Sequence, residues 1–325
     1  GNFDVWQRGT SQTASGYGSD DRWANYNNIS TKTHSQVVCT DTERALFNAS
    51  KFSRTVSTYV AGTGSFVKKS QSIEDITKLA GKTITVSFWA KADSNKKMNL
   101  QLVDFYGVGG TPTANGTSNY SLGNVDLTST WTKYVITTVV PSIVGKTLGT
   151  DGVQTTSWRL DFGFTFSPDR NEVVSFGFPS GQSGTFDIAQ VQLEEGSVAT
   201  PFEQRPLGLE LSLCQRYYQR YTSTDVAVDR WIIDGRINLS TQVLSSFMFS
   251  APMRIPPTQS LRSAQGDFGF AVKNNVAIAN TGGGMFRSTT TGCMLSWNMS
   301  GGVAGEACNV QAATNGAWID FSSEI

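Results

Sequence analysis

Thr83-Ile84-Thr85-Val86-Ser87-Phe88-Trp89-Ala90-Lys91 alternates apolar and polar residues with the two-residue period of a β-strand. Ile84, Val86, Phe88 and Ala90 share one side, which is expected to face a core, and Thr85, Ser87, Trp89 and Lys91 share the other. The tryptophan is the departure: a large aromatic among residues expected to face outward. The same period recurs over 98–106, 131–140, 158–166, 172–178 and 185–193, which are read as further strands. Within 158–166, Trp158, Leu160, Phe162, Phe164 and Phe166 fall on one face, with Arg159, Asp161 and Thr165 opposite. Residues 72–80 read as one short helix ended by Gly81. Residues 1–49, with Trp6, Trp23 and Tyr26 scattered through them, read as polar and turn-rich. Segments 107–119 and 145–154 carry the Gly, Pro, Asn and Thr of long surface connections. Strands separated by such turns, with hardly a helix among them, predict an all-β protein built on an antiparallel sandwich.

A chain of 325 residues exceeds what one core usually organises, so two domains are expected. The boundary falls at Ala199-Thr200-Pro201-Phe202-Glu203-Gln204-Arg205-Pro206, where two prolines discourage regular structure. This gives a first sandwich over 1–205, a short helical or extended linker over 206–222, and a smaller C-terminal β-sandwich over 223–325. Strands in the last part are expected at 230–237, 241–249, 268–278, 293–297 and 317–321, broken by Gly282-Gly283-Gly284 and Gly301-Gly302. In the linker, Leu207, Leu211, Cys214 and Tyr218 are spaced four, three and four apart. That heptad-like stripe either packs on its own domain or forms a seam between identical chains.

Lys+Arg and Asp+Glu both number 26, so the chain lacks the basic surplus of a protein that grips nucleic-acid phosphates. The alternating basic and aromatic residues Gln215-Arg216-Tyr217-Tyr218-Gln219-Arg220-Tyr221 are accordingly read as packing between domains or chains. No apolar run approaches the ~20 residues of a membrane-spanning helix. The start, Gly1-Asn2-Phe3-Asp4, has no initiator Met, as expected of a fragment or processed product. The four cysteines form no CxxC unit or Cys/His cluster that would point to zinc. Cys293 and Cys308 are close enough in sequence to pair, but spacing alone leaves that open.

Catalysis is not expected. The single histidine, His34, lies in a polar stretch read as a solvated loop, and no Gly-x-Ser-x-Gly elbow accompanies it. Glycoside hydrolysis needs only two carboxylates, yet nothing singles out a pair among Asp20, Asp21, Asp104, Asp161 and Glu172. Sugar binding asks for aromatic faces beside amides and carboxylates. Trp89 supplies the aromatic, and Gln101, Asp104 and Tyr106 in the next strand are read as extending its surface. Arg159 and Asp161 lie on a predicted non-core face and join the candidate set. The alternative for Trp89 is cover by the N-terminal loops or a neighbouring chain.

Several stretches together resemble bacteriophage tail-fibre and virion-fibre proteins. They are Asn2-Phe3-Asp4-Val5-Trp6-Gln7-Arg8-Gly9-Thr10, Gln71-Ser72-Ile73-Glu74-Asp75, Leu79-Ala80-Gly81-Lys82 and Val86-Ser87-Phe88-Trp89-Ala90-Lys91. Further along come Phe186-Asp187-Ile188-Ala189-Gln190-Val191-Gln192-Leu193-Glu194-Glu195-Gly196, Thr200-Pro201-Phe202-Glu203 and Leu213-Cys214-Gln215-Arg216-Tyr217-Tyr218. The resemblance covers residues 1–220 and implies a jelly-roll domain, like a carbohydrate-binding module, on a homotrimeric virion fibre of the tail or capsid. It further implies host cell-surface polysaccharide and other virion proteins as partners, with the variable C-terminal part as a receptor-binding tip. Membrane insertion is not implied. In such jelly rolls a structural calcium often links the chain start to the final strand, and Asp4 and Asp187 match those two positions. A fibre component that binds no glycan, a polysaccharide depolymerase and a binding module of a secreted enzyme remain the alternatives.

Overall fold

The alternation at 83–91 becomes a ten-residue strand, Thr83–Ala92, in which Ile84, Val86, Phe88 and Ala90 are fully buried. The computed structural model describes residues 1–116, 119–152, 155–222, 230–261, 268–272, 276–279, 282–312 and 318–324. Parts of the expected loops at 107–119 and 145–154, and positions 273–275 and 317 of two expected strands, lie outside the described residues. So do residues 223–229, the start of the expected C-terminal domain. The chain divides into two units, Gly1–Glu210 and Leu211–Glu324.

Twelve strands form the first unit: β1 (Ser11–Gln12), β2 (Gly16–Tyr17), β3 (Trp23–Asn28), β4 (Thr31–Val38), β5 (Lys51–Thr58), β6 (Phe66–Glu74), β7 (Thr83–Ala92), β8 (Lys96–Phe105), β9 (Asn119–Leu127), β10 (Thr132–Val139), β11 (Ser157–Phe166) and β12 (Gly184–Glu195). Two short helices, α1 (Asp41–Phe47) and α2 (Asn171–Phe176), interrupt them. The strands make two six-stranded sheets, ordered β1-β4-β5-β12-β7-β10 and β2-β3-β6-β11-β8-β9. This is a jelly-roll sandwich. Between the sheets lie Trp23, Val86, Phe88, Leu100, Leu102, Trp158, Leu160, Phe162 and Phe186, each nearly solvent-free. Burying a side chain of that size contributes about 1.5–3 kcal/mol each, which makes this core the main source of stability.

Several expectations are corrected. Residues 1–49 hold β1 to β4 and α1 rather than irregular turns. The reason is chemical: the inward positions of β4 are Lys32 and His34, both buried, so the strand has no apolar period to read. The helix expected at 72–80 is strand up to Glu74 and then one 3-10 turn, Ile76–Lys78. The strand expected at 172–178 is α2, closed by Gly177 in the left-handed region at φ 64°.

Helix α1 starts with a capping box. Glu43 N–H donates to Thr40 Oγ1 at 3.3 Å, and Thr40 N–H donates back to Glu43 Oε2 at 3.0 Å. Thr40→Ala is expected to cost about 1 kcal/mol, read as a lower urea midpoint with an unchanged slope. An unchanged midpoint would show that α1 is held by packing alone.

The second unit begins inside α3 (Leu207–Gln215), which runs across the division at Glu210. Its strands are β13 (Tyr218–Thr222), β14 (Arg230–Leu239), β15 (Gln242–Met248), β16 (Thr258–Leu261), β17 (Phe268–Val272), β18 (Val276–Ala279), β19 (Gly282–Ser288), β20 (Gly292–Asn298), β21 (Ala307–Ala312) and β22 (Trp318–Ser322). They form a three-stranded sheet, β13-β22-β16, and a seven-stranded one, β18-β17-β21-β14-β15-β20-β19. Ile237, Val243, Leu295, Trp297, Val310, Ile319 and Phe321 make its core. The expected linker is therefore too long, because Tyr218–Thr222 already pairs with Ser322–Trp318. Gly282, Gly283 and Gly284 start β19 instead of breaking it. A Cβ at Gly283 would come within 2.5 Å of the Ser296 carbonyl oxygen, so the close approach of β20 requires glycine there.

None of the four cysteines forms a disulfide. Cys293 in β20 and Cys308 in β21 are separated by β15 and β14 in sheet order, roughly 14 Å at the usual strand spacing, well beyond disulfide reach.

Candidate functional site

The sandwich has two outer faces, and the expected site residues are split between them and the core. Trp89 projects from the first sheet as expected, but it is half-buried there by its neighbours. Phe47 of α1 lies 6.2 Å from its ring, and Phe47 and Phe52 each pack 5.1 Å from Trp131. Cys39, Ala49 and Ala189 complete this small second core. Glu43 fastens it, accepting from Trp131 Nε1 at 2.8 Å and Lys91 Nζ at 3.1 Å. Burial pushes the Glu43 carboxyl up, but the bonds from Trp131, Thr40 and Lys91 outweigh that and hold its pKa at about 2. Trp89 is therefore half-buried against α1 and not an open ring on a bare sheet face.

Asp104 and Tyr106 point into the sandwich. Tyr106 belongs to the main core and its hydroxyl donates to Asp104 Oδ2 at 2.8 Å, with both residues nearly solvent-free.

Gln101, Arg159 and Asp161, by contrast, come together on the outer face of the second sheet. Ser70 of β6, Asp161 of β11 and Gln101 of β8 stand in one row across three adjacent strands. Arg159 lies one step along the same face of β11, and Lys68 one step along β6. Arg159 Nε donates to Asp161 Oδ1 at 2.7 Å; Lys68 Nζ and Gln101 Nε2 donate to Oδ2 at 2.8 and 3.0 Å. Burial raises the Asp161 carboxyl, but Lys68 and Arg159 more than offset it and hold it below the usual aspartate range. Burial also pulls the Lys68 ammonium below the ordinary lysine value, against the attraction of Asp161.

These residues belong to a groove of about 240 Å³ lined by Phe66, Lys68, Gln101, Phe105, Arg159 and Arg170, among others. Phe166 forms one wall, which the simple alternation does not anticipate. A register shift between Gly163 and Thr165 reverses the parity of β11, turning Phe166 from the core side to the groove side. Its ring lies over Gly163, where a Cβ would come within 2.4 Å. The cations rest on aromatic rings: Arg159 is 4.9 Å from the Phe105 centroid, and Arg170 is 5.2 Å from Phe66 and 5.8 Å from Phe166. Gln101 Oε1 is buried and has no hydrogen-bond donor among the described residues; Ser70 Oγ and Asn99 Oδ1 on the same face are in the same state. Lys68, Arg170 and Phe66 were not foreseen. The signal for Arg170 was absent, because it follows β11 in a turn.

A wider cavity of about 490 Å³ lies at the start of β8, between Asn95, Lys97, Asp126 and Gln182. Its Lys97–Asp126 pair is exposed and already matched at 2.7 Å, so it offers no desolvated polar group to a ligand.

The remaining carboxylates are each held by neighbours. Asp20 pairs with Lys69, and Asp21 accepts from Gln7. Asp104 and Asp161 sit on opposite sides of the sheet, so they cannot act on one bond from two sides. The side chain of Glu172 lies outside the described residues. His34 is neither in a solvated loop nor in a catalytic pairing. It is fully buried in β4, bonded to Thr55 Oγ1 and Lys69 Nζ, both at 2.8 Å.

Asp4 and Asp187 do not fit a calcium ion. Both Asp187 oxygens accept from Arg54, at 2.7 and 2.8 Å, and Lys91 is 3.8 Å away. A carboxylate so neutralised leaves no oxygen edge to a cation. Asp4 accepts from Asn2 and Ser50, and among the described residues no cluster of three His, Cys, Asp or Glu side chains could hold a metal.

The expected seam also divides. Leu207 is exposed and Leu211 half-buried on α3; Cys214 is buried near its end; Tyr218 lies beyond the helix in β13, donating to Asp320 at 2.7 Å. No single helical stripe connects the four.

No protein-family model and no curated protein matches the chain. Solved structures similar to it include a family 11 carbohydrate-binding module from Clostridium thermocellum in complex with a β-1,3-1,4-mixed-linked tetrasaccharide. The identity is 11%, covering 57% of this chain and 95% of that one, with a TM-score of 0.33. The C-terminal family 22 carbohydrate-binding module of Clostridium thermocellum Xyn10B is 13% identical over 59% of this chain and 98% of its own, at a TM-score of 0.34. The enzymatically active domain of bacteriophage CBA120 tailspike protein 4 is 15% identical over 54% of this chain, but over only 19% of its own length, at 0.32. At such identities and TM-scores these likenesses carry no weight for what this chain binds.

Proposed function

We propose that the first unit binds glycan in the groove across β6, β11 and β8. The observation that carries this is Gln101. Its side-chain oxygen is buried in the groove wall without a donor among the described residues, in a row with Asp161 and Ser70. A buried acceptor left unpaired costs about 1–3 kcal/mol, and a sugar hydroxyl is the kind of donor that would relieve it. Arg159 and Lys68, fixed by Asp161, add donors whose geometry is set before a ligand arrives. The groove is smaller than the roughly 300–1,000 Å³ of typical small-molecule sites, which suits one or two sugar rings.

Gln101→Leu is expected to lower affinity at least tenfold on an array of bacterial surface oligosaccharides, with the circular dichroism spectrum and melting temperature retained. Unchanged binding in that variant would remove the groove from consideration.

The motif resemblance supports a setting for this activity: a fibre on a virion, acting outside the host cell, in which three copies multiply individually weak sites through avidity. Light scattering tests the assembly directly, and a monomer at micromolar concentration would overturn the fibre reading while leaving the groove untouched.

A further inference from the structure

We infer that Lys69 and Asn25 become joined side chain to side chain, by an amide bond across β6 and β3 that forms with release of ammonia. The two residues are direct partners in the β3–β6 ladder, and both are buried on its inward face. Opposed Cβ atoms in such a ladder are about 4.5–5.5 Å apart, well within the reach of a lysine. Lys69 Nζ lies 3.1 Å from Asn25 Oδ1. The amide carbon is one C=O bond beyond that oxygen, at most about 4.3 Å from the amine. The terminal torsion of asparagine is broad, so a small rotation turns that carbon toward the nitrogen.

Asp20 completes the arrangement. Its Oδ1 accepts from Asn25 Nδ2 at 3.1 Å and its Oδ2 from Lys69 Nζ, so one carboxylate touches both the attacking and the departing nitrogen. All three residues are at most 1% exposed, and the rings of Trp23 and Phe3 lie against the amine. A lysine becomes a nucleophile when it is desolvated and beside a base. Burial draws the Lys69 ammonium down to about 8, which brings the free amine within reach at neutral pH.

In the reaction, Lys69 Nζ bonds to Asn25 Cγ and the Cγ–Nδ2 bond breaks. Of the three protons on the lysine nitrogen, one stays in the new amide. Asp20 takes the other two in turn and passes them to Nδ2, which leaves as ammonium while Asp20 returns to its carboxylate. No oxidant or second reactant is consumed. Holding the two groups side by side replaces the high concentration that the same reaction would need in solution. In a freshly made chain the ion pair holds these residues together, and the amide forms among them after folding.

The test is mass spectrometry of the intact chain, unfolded after prolonged storage at neutral pH. The mass should fall below that of the sequence by about 17 Da, one ammonia. A tryptic digest locates the bond. Cleavage at Arg22 and Lys32 puts Asn25 in residues 23–32, apart from Asp20, and cleavage at Lys68 and Lys78 puts Lys69 in residues 69–78. One species joining 23–32 to 69–78 is expected, and Lys69→Arg and Asp20→Ala should each lack it. Full mass in the native sequence would overturn the inference whether or not the variants fold. So would the same loss without the joined peptides, as a succinimide at Asn115-Gly116 would give. A link from 69–78 to residues 9–22 would overturn the assignment to Asn25 and make Asp20 the acyl donor. A link that persists in Asp20→Ala would overturn the role of Asp20 as proton carrier.

Discussion

Lys69→Met is expected to destabilise the first unit by about 3–5 kcal/mol, the range seen when one partner of a buried ion pair is removed. Lys69 extends from β6 into the interior of the sandwich and is 1% exposed. Its ammonium has three donors, and the structure gives each an acceptor: Asp20 Oδ2, Asn25 Oδ1 at 3.1 Å and His34 Nε2 at 2.8 Å. Two rings enclose it, with Trp23 at 5.1 Å and Phe3 at 5.3 Å from the charge. Burial pulls its pKa down to about 8, against the attraction of Asp20, so the charge is present at neutral pH. Methionine fills similar space but leaves the 1%-exposed Asp20 without its cation. Urea unfolding monitored by tryptophan fluorescence would give the difference. The double change Lys69→Met with Asp20→Asn should recover part of it, since the neutral amide no longer needs the cation. A loss under 1 kcal/mol for the single variant would mean that Asp20 is reached by water and that this pair is not part of a dry core.

The same knot predicts acid lability well above the pH at which carboxylates usually titrate. His34 is fully buried, and burial first, then Lys69 and Lys32, holds its pKa well below 6.5. The folded chain thus keeps this imidazole neutral, while the unfolded chain takes up a proton near pH 6.5. Between the two values the unfolded state binds more protons, so stability is present in full above pH 6.5 and is lost as pH falls below it. The limiting slope is about 1.4 kcal/mol per pH unit. His34 is the only histidine in the chain, so the window from pH 6.5 to 5 belongs to it almost alone. Unfolding midpoints at pH 7, 6 and 5 should fall progressively in the native sequence and hold nearly level in His34→Gln. Parallel slopes in the two proteins would place the acid response elsewhere.

What could be read in advance followed the chemistry of the inward positions. β7, β8, β11 and β12 were legible because their core faces are apolar, as Met98, Leu100 and Leu102 illustrate in β8. β4 was not, because its inward residues are the cation and imidazole of the buried knot. The groove was half legible. Arg159 and Asp161 were placed on the outer face by parity alone, and so is Gln101. Grouping Asp104 and Tyr106 with Gln101 ignored the same parity, since even and odd positions of one strand face opposite ways. Trp89 was correctly turned outward, yet what half-buries it came from a helix announced only by the Thr40–Glu43 capping pair. Phe166 needed the bulge, for which Gly163 inside an otherwise bulky strand was the available sign.

The groove also has a folding history written into it. Its walls come from residues 66–74, 96–105 and 157–166, joined edge to edge only when the chain has doubled back on itself twice. Such non-local pairing forms late compared with helices or hairpins. No excised peptide would carry the site, and a ribosome-bound chain would lack it until the third segment had emerged. Acquisition of ligand affinity during refolding would therefore serve as a clock for closure of the second sheet, separate from any signal that reports collapse of the core.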